Sequence, residues 1–398
     1  MTIEAVIGAN YGDEGKGLFT EHLCRNRPSP LVVLSNGGCQ RGHTVNNVEL
    51  GIRHVFHHFG SGTLLGVPSI FSKTFLLNPI KYVEEKRELK KIGIKPMVFR
   101  TPSCLLQLPS DMFTNQMLEK ARGQSKHGSC GWGIWETIVR NDMHKRLTFE
   151  DFASLDYEMK KSVLLEEIEW QACKRLEDYR SSIDYSTMEC IMSEQFIKHF
   201  IQDFEEMERD VKVLDNDNLL EADLDACECD VETLIVENGQ GLLLDKKYAP
   251  IDEHGRTDIH TTPSKCGLEG VVEAIGDDGC IRDISANYIS RTYFTRHGAG
   301  PFPEEDNNIS FKDETNIPNG YQGSLKFGKI DDAAAAKLLD RIASNSTFNG
   351  KPARECNFVL THCNEVDPHK MLKDFAKFFS YEDDSCTIEK SLKNNWQS

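Results

Sequence analysis

The sequence predicts an α/β protein: a large central, mostly parallel sheet of P-loop-like character that carries helical insertions. Three observations lead there. Short apolar runs end at once in glycine or polar turns, a charged glycine-rich turn follows the first of them, and a long acidic stretch has helix-forming composition.

Residues 3–7 (IEAVI) and 31–35 (LVVLS) are the first two apolar runs, each followed directly by glycines. A third, residues 233–236 (TLIV), leads into ENGQG at 237–241, and a fourth, residues 358–361 (FVLT), leads into HCNEVD. Strands so far apart in sequence that all end in such turns fit one sheet gathering one site at its carboxyl edge. Between them, text such as LEEIEWQACKRLEDYR at 165–180 reads as part of a helical, acidic insertion over residues 150–230. DDAAAAKLLDRIA, 331–343, predicts a further helix, with Asp331 or Asp332 placed to cap it and to meet its dipole. Residues 304–324, rich in Asn, Asp, Gly and Pro, read as a long surface loop.

With 398 residues and 39% hydrophobic content, the chain can bury one large core, or two coupled ones, without disulfides or metals. Its 46 Lys and Arg against 63 Asp and Glu give a net charge of −17, a surface that repels nucleic acid backbones and acidic membranes. A nucleotide ligand must therefore sit in a local positive or amide-lined pocket. No apolar run approaches the roughly 20 residues a bilayer crossing needs, and no signal pattern opens the chain, so a cytoplasmic protein is expected. The thirteen cysteines are scattered, with Cys227 and Cys229 the one close pair, which predicts reduced thiols rather than a zinc site.

GANYGDEGKG, residues 8–17, has the outline of a phosphate loop, yet it ends in Gly17 where Ser or Thr is usual. Gly12, Gly15 and Gly17 let the backbone turn tightly and aim its amides at an anion, and a helix starting near Gly17 presents its positive end there. Asp13 is the nearby oxygen ligand, able to hold a metal or to take a proton. A purely structural turn is the bland alternative, and the density of Gly, Asp, Glu and Lys in residues 12–17 argues against it.

YGDEGKG followed by NGGCQRGHTV, residues 36–45, resembles the paired signature of the adenylosuccinate synthetase family. ENGQGLLLD, 237–245, resembles that family's glutamine-containing nucleotide segment, and TRHGAGPFPEE, 295–305, is similar to its TRVGAGPFPTE stretch. The resemblance implies a single domain over residues 1–398, with the 150–230 insertion inside it, and a C–N bond-forming, NTP-dependent ligase of purine biosynthesis. In that family's reaction the γ-phosphate of GTP passes to O6 of an IMP-like nucleotide, and aspartate then joins at C6. By matching, Asp13 would take the N1 proton, His43 would assist phosphoryl transfer, and Lys16 would neutralise charge moving between phosphates. Gly12, Glu14, Gly15, Gly17, Gly42, Thr44 and Asn364 would surround the donor. Gln40, Ser129, Cys130, Gln240 and Thr261 would meet the purine acceptor, Asp13 and the Gly42 carbonyl would ligate Mg²⁺, and Arg140 would enter a phosphate site from a neighbouring subunit of a homodimer.

The departures are as informative. Where the family has TTGRRRRTGWLD, whose arginines grip the aspartate carboxylates, this chain has PNGYQGSLKFGKID at 318–331. Asn319, Gln322 and Lys326 become the candidates for the amine, with Arg256, Arg291 and Arg296 as cations from elsewhere. Aspartate and another amino acid both stay open, and so does an NTPase, sensor or regulator that lost the amine site. LTHCNEVD puts His362 and Asn364 where the family's Lys-Leu-Asp turn reads guanine, leaving GTP and ATP open. A phage branch of the family works on dGMP and replaces the loop aspartate with serine; Asp13 is retained here, which favours a hypoxanthine-type substrate. In GSCGWGIWETIVR, 128–140, Trp132 stands in place of an arginine, and for it and Trp135 core packing, base stacking and a subunit interface are open readings.

Overall fold

The structure, a computed structural model, describes residues 1–123, 127–227, 230–248, 259–313, 315–316, 323–363 and 365–366. Its strands are β1 (Thr2–Gly8), β2 (Pro30–Ser35), β3 (His43–Asn47), β4 (Ile52–Phe56), β5 (Ser69–Phe71), β6 (Val98–Arg100), β7 (Lys212–Val213), β8 (Thr233–Gly241), β9 (Ile284–Arg291), β10 (Phe294–His297), β11 (Leu325–Gly328), β12 (Thr347–Phe348), β13 (Lys351–Pro352) and β14 (Glu355–Thr361). Its helices are α1 (Lys16–Asn26), α2 (Pro79–Lys91), α3 (Pro109–Arg122), α4 (Ile134–Met143), α5 (Phe149–Ala153), α6 (Tyr157–Lys174), α7 (Tyr185–Met192), α8 (Glu194–Asp210), α9 (Leu268–Ile275) and α10 (Asp332–Asn345).

Eight strands form one sheet in the order β14-β9-β1-β8-β2-β5-β6-β7, and each neighbouring pair is parallel. This is the α/β class the sequence predicts. Burial on both faces explains why the central strands read as apolar runs rather than as alternating ones. Ile3, Ala5 and Ile7 of β1 point to a layer built with α9 and α10, while Val6 points to the opposite layer with Val32, Leu34 and Ile235. Asp331 caps α10 as expected, its carboxylate accepting from the Ala334 amide at 2.9 Å.

Residues 149–210 supply α5 to α8. Asp156, Asp184 and Ser193 cap three of these helices, and α8 buries Ile197, Phe200, Ile201, Phe204 and Met207 along one stripe at three- and four-residue spacing. The stretch 150–230 is not helical throughout, because β7 returns the chain to the edge of the main sheet beside β6. Among the described residues, no helix is long and apolar enough to cross a membrane. Cys227 is buried, and Cys229 lies outside the described residues.

His58 shows how strongly the core dictates protonation. Its ring is fully buried among Phe59, Phe71, Phe75 and Tyr82, and Nε2 accepts from the Asn78 amide at 3.0 Å. Burial pushes its pKa down to about 3, and burial likewise lowers His43 to about 4 despite the pull of Glu237. Both rings are neutral in the fold and would take a proton once unfolded, at about pH 6.5. Stability should therefore fall as pH drops from about 6.5 towards 4, by up to about 1.4 kcal/mol per pH unit for each ring. Urea midpoints measured between pH 7 and 4 check this, and a flat profile between 6.5 and 4 would contradict it.

Candidate active site

The carboxyl ends of β9, β1, β8 and β2 open into one cleft of about 930 Å³. Residues 9–15 join β1 to α1 there, and their conformation is locked from three sides. Thr295 Oγ1 donates to the Gly12 carbonyl at 2.9 Å, Arg291 Nε to the Asp13 carbonyl at 2.5 Å, and Thr361 Oγ1 to the Glu14 carbonyl at 2.7 Å. With those carbonyls held from behind, the amides that open α1 are left for an anion. Arg341 of α10 ties the base of the turn, donating to the Ala9 carbonyl at 2.7 Å and to Asn10 Oδ1 at 2.8 Å.

Two glycines answer to specific constraints. Gly15 has φ 86° with Thr361 packed where a Cβ would lie, 3.0 Å from its Oγ1. A Cβ on Gly17 would approach the His43 Cβ to 2.8 Å, so α1 and β3 can touch only if this position is glycine. The terminal hydroxyl of an ordinary phosphate loop is absent because His43 occupies its space.

Glu14 turns inward rather than toward a ligand. Its Oε1 accepts from the amides of Asn10 at 2.8 Å and Gly12 at 3.0 Å, and its Oε2 accepts from Lys16 Nζ at 2.9 Å. It shapes the loop and holds Lys16 in reserve. Asp13 faces the cleft, and no described side chain donates to its carboxylate. Burial pushes its pKa up against the opposing charges of Arg291, His297 and Lys16. A carboxylate with raised affinity for protons is what a base at a weakly acidic N–H requires.

His43 lies on the other wall at the start of β3. Its Nδ1 meets Glu237 Oε1 at 2.6 Å, and its buried Nε2 has no partner. Glu237, at the end of the apolar part of β8, is fully buried; burial alone would raise its pKa, but Arg41, His43 and Ser61 hold it down to about 2. Arg41 Nη2 lies 3.6 Å from its Oε2, the Ser61 amide donates to that oxygen at 3.2 Å, and the Ser61 hydroxyl donates to Oε1. The fixed negative charge keeps the proton of His43 on Nδ1 and aims Nε2 at the cleft. Gln40 Nε2 and Gln240 Oε1 are further buried polar atoms without a partner on the same walls. Arg41 Nη1 and His57 Nδ1 are two more, and since buried polar groups are normally satisfied, five orphans on residues lining one cleft mark positions for ligand atoms.

A second glycine-rich turn, residues 127–133, faces the cleft from α4, whose first residues Ile134, Trp135 and Glu136 line it. Glu119 accepts from the amides of His127 at 3.3 Å, Gly128 at 2.8 Å and Ser129 at 3.3 Å, and Asn115 Oδ1 accepts from the Ser129 hydroxyl at 3.1 Å. Ser129, Cys130, Trp132 and Trp135 all line the cleft, as do Thr261 and Lys246 opposite them. Lys246 Nζ sits 5.9 Å from the Trp135 ring centre and Lys81 Nζ 5.5 Å from that of Trp132. The two tryptophans are cleft residues and not core ones.

A sequence profile of the family described as adenylosuccinate synthetase matches residues 5–324. The chain belongs to the adenylosuccinate synthetase family. Among named members, it is 29% identical over 306 residues to the adenylosuccinate synthetase of Shewanella amazonensis, covering 75% of this chain and 64% of that one. To the adenylosuccinate synthetase of Lactobacillus acidophilus it is 27% identical over 316 residues, covering 77% and 65%. The chain thus spans just under two-thirds of the length of these synthetases. Its fold matches fully ligated adenylosuccinate synthetase from Plasmodium falciparum with a TM-score of 0.67 at 16% identity, covering 91% of this chain and 77% of that one. It matches the cyanophage S-2L succinoaminodeoxyadenylate synthetase bound to dGMP and dATP with a TM-score of 0.60 at 12% identity, covering 94% and 90%.

The structure brings Gly12, Asp13, Glu14, Gly15, Lys16, Gly17, Gln40, Gly42, His43, Thr44, Ser129, Cys130, Gln240 and Thr261 to this one cleft. Arg140 is not among them and its reading as a phosphate ligand is corrected. It is fully buried, with Nε 2.9 Å from Asp111 Oδ1, Nη2 3.0 Å from Asp111 Oδ2 and 2.7 Å from the Leu106 carbonyl, so it ties α4 to α3 within its own chain. Lys326 is corrected as well: on β11 its Nζ lies 3.5 Å from Glu305 Oε2 and away from the cleft walls. Asn319, Gln322, Asn364 and Arg256 lie outside the described residues. Arg296 is spent within its own turn on the carbonyls of Ala299 and Pro301. Replacing Arg140 with methionine should lower stability by about 3 kcal/mol, because Asp111 is left buried without its counter-ion. Urea unfolding checks the loss, and an unchanged KM for the purine nucleotide in the folded fraction would agree with a structural role.

Proposed function

We propose that the chain is an NTP-dependent purine-nucleotide ligase that phosphorylates O6 of a 6-oxopurine nucleotide and then joins an amine at C6. The observation that carries this reading is the pairing of two glycine-opened helix N-termini, α1 and α4, on one cleft, with Asp13, His43, Gln40 and Gln240 between them. Two anions can be held there, which suits a donor's phosphates on α1 and an acceptor's monophosphate beside Ser129 and Cys130.

In the first step the Asp13 carboxylate takes the N1 proton, and the electron pair left behind puts negative charge on O6. O6 attacks the γ-phosphorus as the bond from that phosphorus to the β-phosphate oxygen breaks, and the nucleoside diphosphate departs. Lys16, drawn from Glu14, and the α1 amides neutralise the charge that moves. His43, its ring oriented by Glu237, would assist the phosphoryl transfer through Nε2. In the second step the amine nitrogen bonds C6, the C6–O6 bond breaks with its electron pair going to the departing phosphate, and the proton lost by the amine leaves with that phosphate.

Mg²⁺ fits the residues present. The Asp13 carboxylate, which takes no hydrogen bond from a described side chain, and the backbone carbonyl of the exposed Gly42 would hold it as hard oxygens on the same cleft. Among the described residues no cluster of three or more His, Cys, Asp and Glu side chains would hold a tighter-bound ion. The ion would neutralise charge between the donor phosphates.

IMP-like nucleotide, GTP or ATP, an amino acid and a homodimer complete this reading. A product screen by mass, crossing IMP, dIMP, GMP and dGMP with ATP or GTP and a panel of amino acids, tests it. The expected result is an amine adduct formed only when acceptor, donor and amino acid are all present. The engagement of Lys326 by Glu305 favours one rival, an NTPase or sensor without an amine site. NTP hydrolysis at the same rate with and without amine, and no adduct, would establish that rival.

A further inference from the structure

Four arginines line the cleft: Arg41, Arg53, Arg122 and Arg291. Three are already committed to carboxylates. Arg41 lies beside Glu237, Arg122 Nη1 is 3.0 Å from Glu119 Oε1, and Arg291 Nη2 donates to Asp313 Oδ2 at 2.8 Å. Arg53 differs: among the described residues its guanidinium bonds a hydroxyl, Nη2 donating to Thr315 Oγ1 at 2.6 Å, and meets no carboxylate. One bond from a group with five donors leaves a fork for an anion.

Its place in the fold puts that fork on the cleft. In the β3–β4 hairpin Thr44 pairs with Val55 and Asn46 with Arg53, and cross-strand partners share a face, so these four side chains form one wall of the cleft. Lys312, Asp313, Thr315 and Asn316 line the cleft beside this wall, joined to it where Thr44 Oγ1 lies 2.6 Å from Thr315 Oγ1. Asp313 is paired with Arg291, which leaves the exposed Arg53 as a cation of this end. Asn46 is three residues from His43 along β3, about 10 Å at the rise of a strand and on its other face, and Arg53 and His43 both line the same cleft. The acceptor and donor anions have their own sites on α4 and α1, which leaves this pocket for a third ligand.

We propose that Arg53 anchors a carboxylate of the attacking amine and thereby selects amino acids over neutral amines. The assignment rests on the ligase reading above. It places the carboxylate grip on the hairpin β3–β4 instead of on residues 318–331.

The test uses the full chain with R53Q and R53K, assayed in two ways. The first is steady-state kinetics against aspartate, other amino acids and their decarboxylated amines. The second follows ¹⁸O scrambling from the β–γ bridge of the NTP to non-bridging positions, with acceptor present and amine absent, which reads the first step alone. R53Q should raise the KM for the amino acid about 10- to 100-fold, the loss expected for a charge-assisted hydrogen-bonded pair. It should flatten the preference for the amino acid over its decarboxylated amine while scrambling and the KM values for NTP and acceptor stay within about twofold. R53K should fall between wild type and R53Q, since it keeps the charge and loses the fork. An unchanged amino acid KM in R53Q, or a raised NTP KM with slowed scrambling, overturns the role of Arg53 while the ligase reading stands. Absence of scrambling and of adduct in the wild type overturns both.

Discussion

Asp13→Asn is expected to lower kcat/KM for the purine nucleotide by about 10³-fold while leaving the fold close to wild type. The side chain is isosteric, and the loop is shaped by contacts that do not use it: Glu14 on the Asn10 and Gly12 amides, and Thr295, Arg291 and Thr361 on the three carbonyls. What disappears is the base, and general base catalysis accounts for about 10²–10⁴ in rate. Because burial raises the Asp13 pKa, the wild-type rate should fall on acidification at a higher pH than an exposed aspartate would give. In the variant that acid limb should vanish. A pH–rate profile of kcat/KM measures both, and an asparagine variant within about tenfold of wild type would remove Asp13 from the chemistry.

Glu237→Gln is the second large effect, expected at about 10³-fold in kcat. The carboxylate fixes the proton of His43 on Nδ1 across 2.6 Å and would stabilise the ring when Nε2 becomes charged. An amide can present its own N–H to Nδ1, which moves the ring proton to Nε2 and removes the counter-charge. Arg41, 2% exposed and 3.6 Å from the same carboxylate, also loses its anion, so stability should drop by about 3 kcal/mol. Measuring kcat on the folded fraction separates the two losses. An NMR titration following the His43 ring should show its pKa moving below about 4 once Glu237 no longer opposes the effect of burial. A kcat near wild type would deny the pair its orienting role.

Four strands of the sheet were legible because burial on both faces makes them short apolar runs, and the structure extends these into β1, β2, β8 and β14. The strand β9, ISANYISR, was not, because Ser285, Asn287 and Ser290 interrupt its apolar pattern. Those polar groups are buried and satisfied across the sheet, Asn287 Nδ2 by Glu4 at 2.9 Å and Ser290 Oγ by Asn10 at 2.9 Å. β5 and β6, three residues each, are too short to carry a period. In the site, glycine spacing made the α1 turn readable, since each glycine answers to local backbone geometry. Glu237 is a different case: it lies 194 residues from His43, and its signal was a lone carboxylate closing an apolar run. Arg140 was misread for the same reason in reverse. The family resemblance put an arginine of this region into a neighbouring subunit's phosphate site, and its true partner Asp111 lies 29 residues upstream on α3.

The central claim is that O6 of the purine leaves as phosphate. The most direct measurement uses acceptor nucleotide carrying ¹⁸O at C6, with NTP and amino acid, and reads the released phosphate by ³¹P NMR or mass. Transfer of one ¹⁸O into each phosphate, matched by amine adduct formation, is the result expected of the cleft built by Asp13 and His43. Unlabelled phosphate released while NTP is consumed would contradict it and leave a cleft that only hydrolyses its donor.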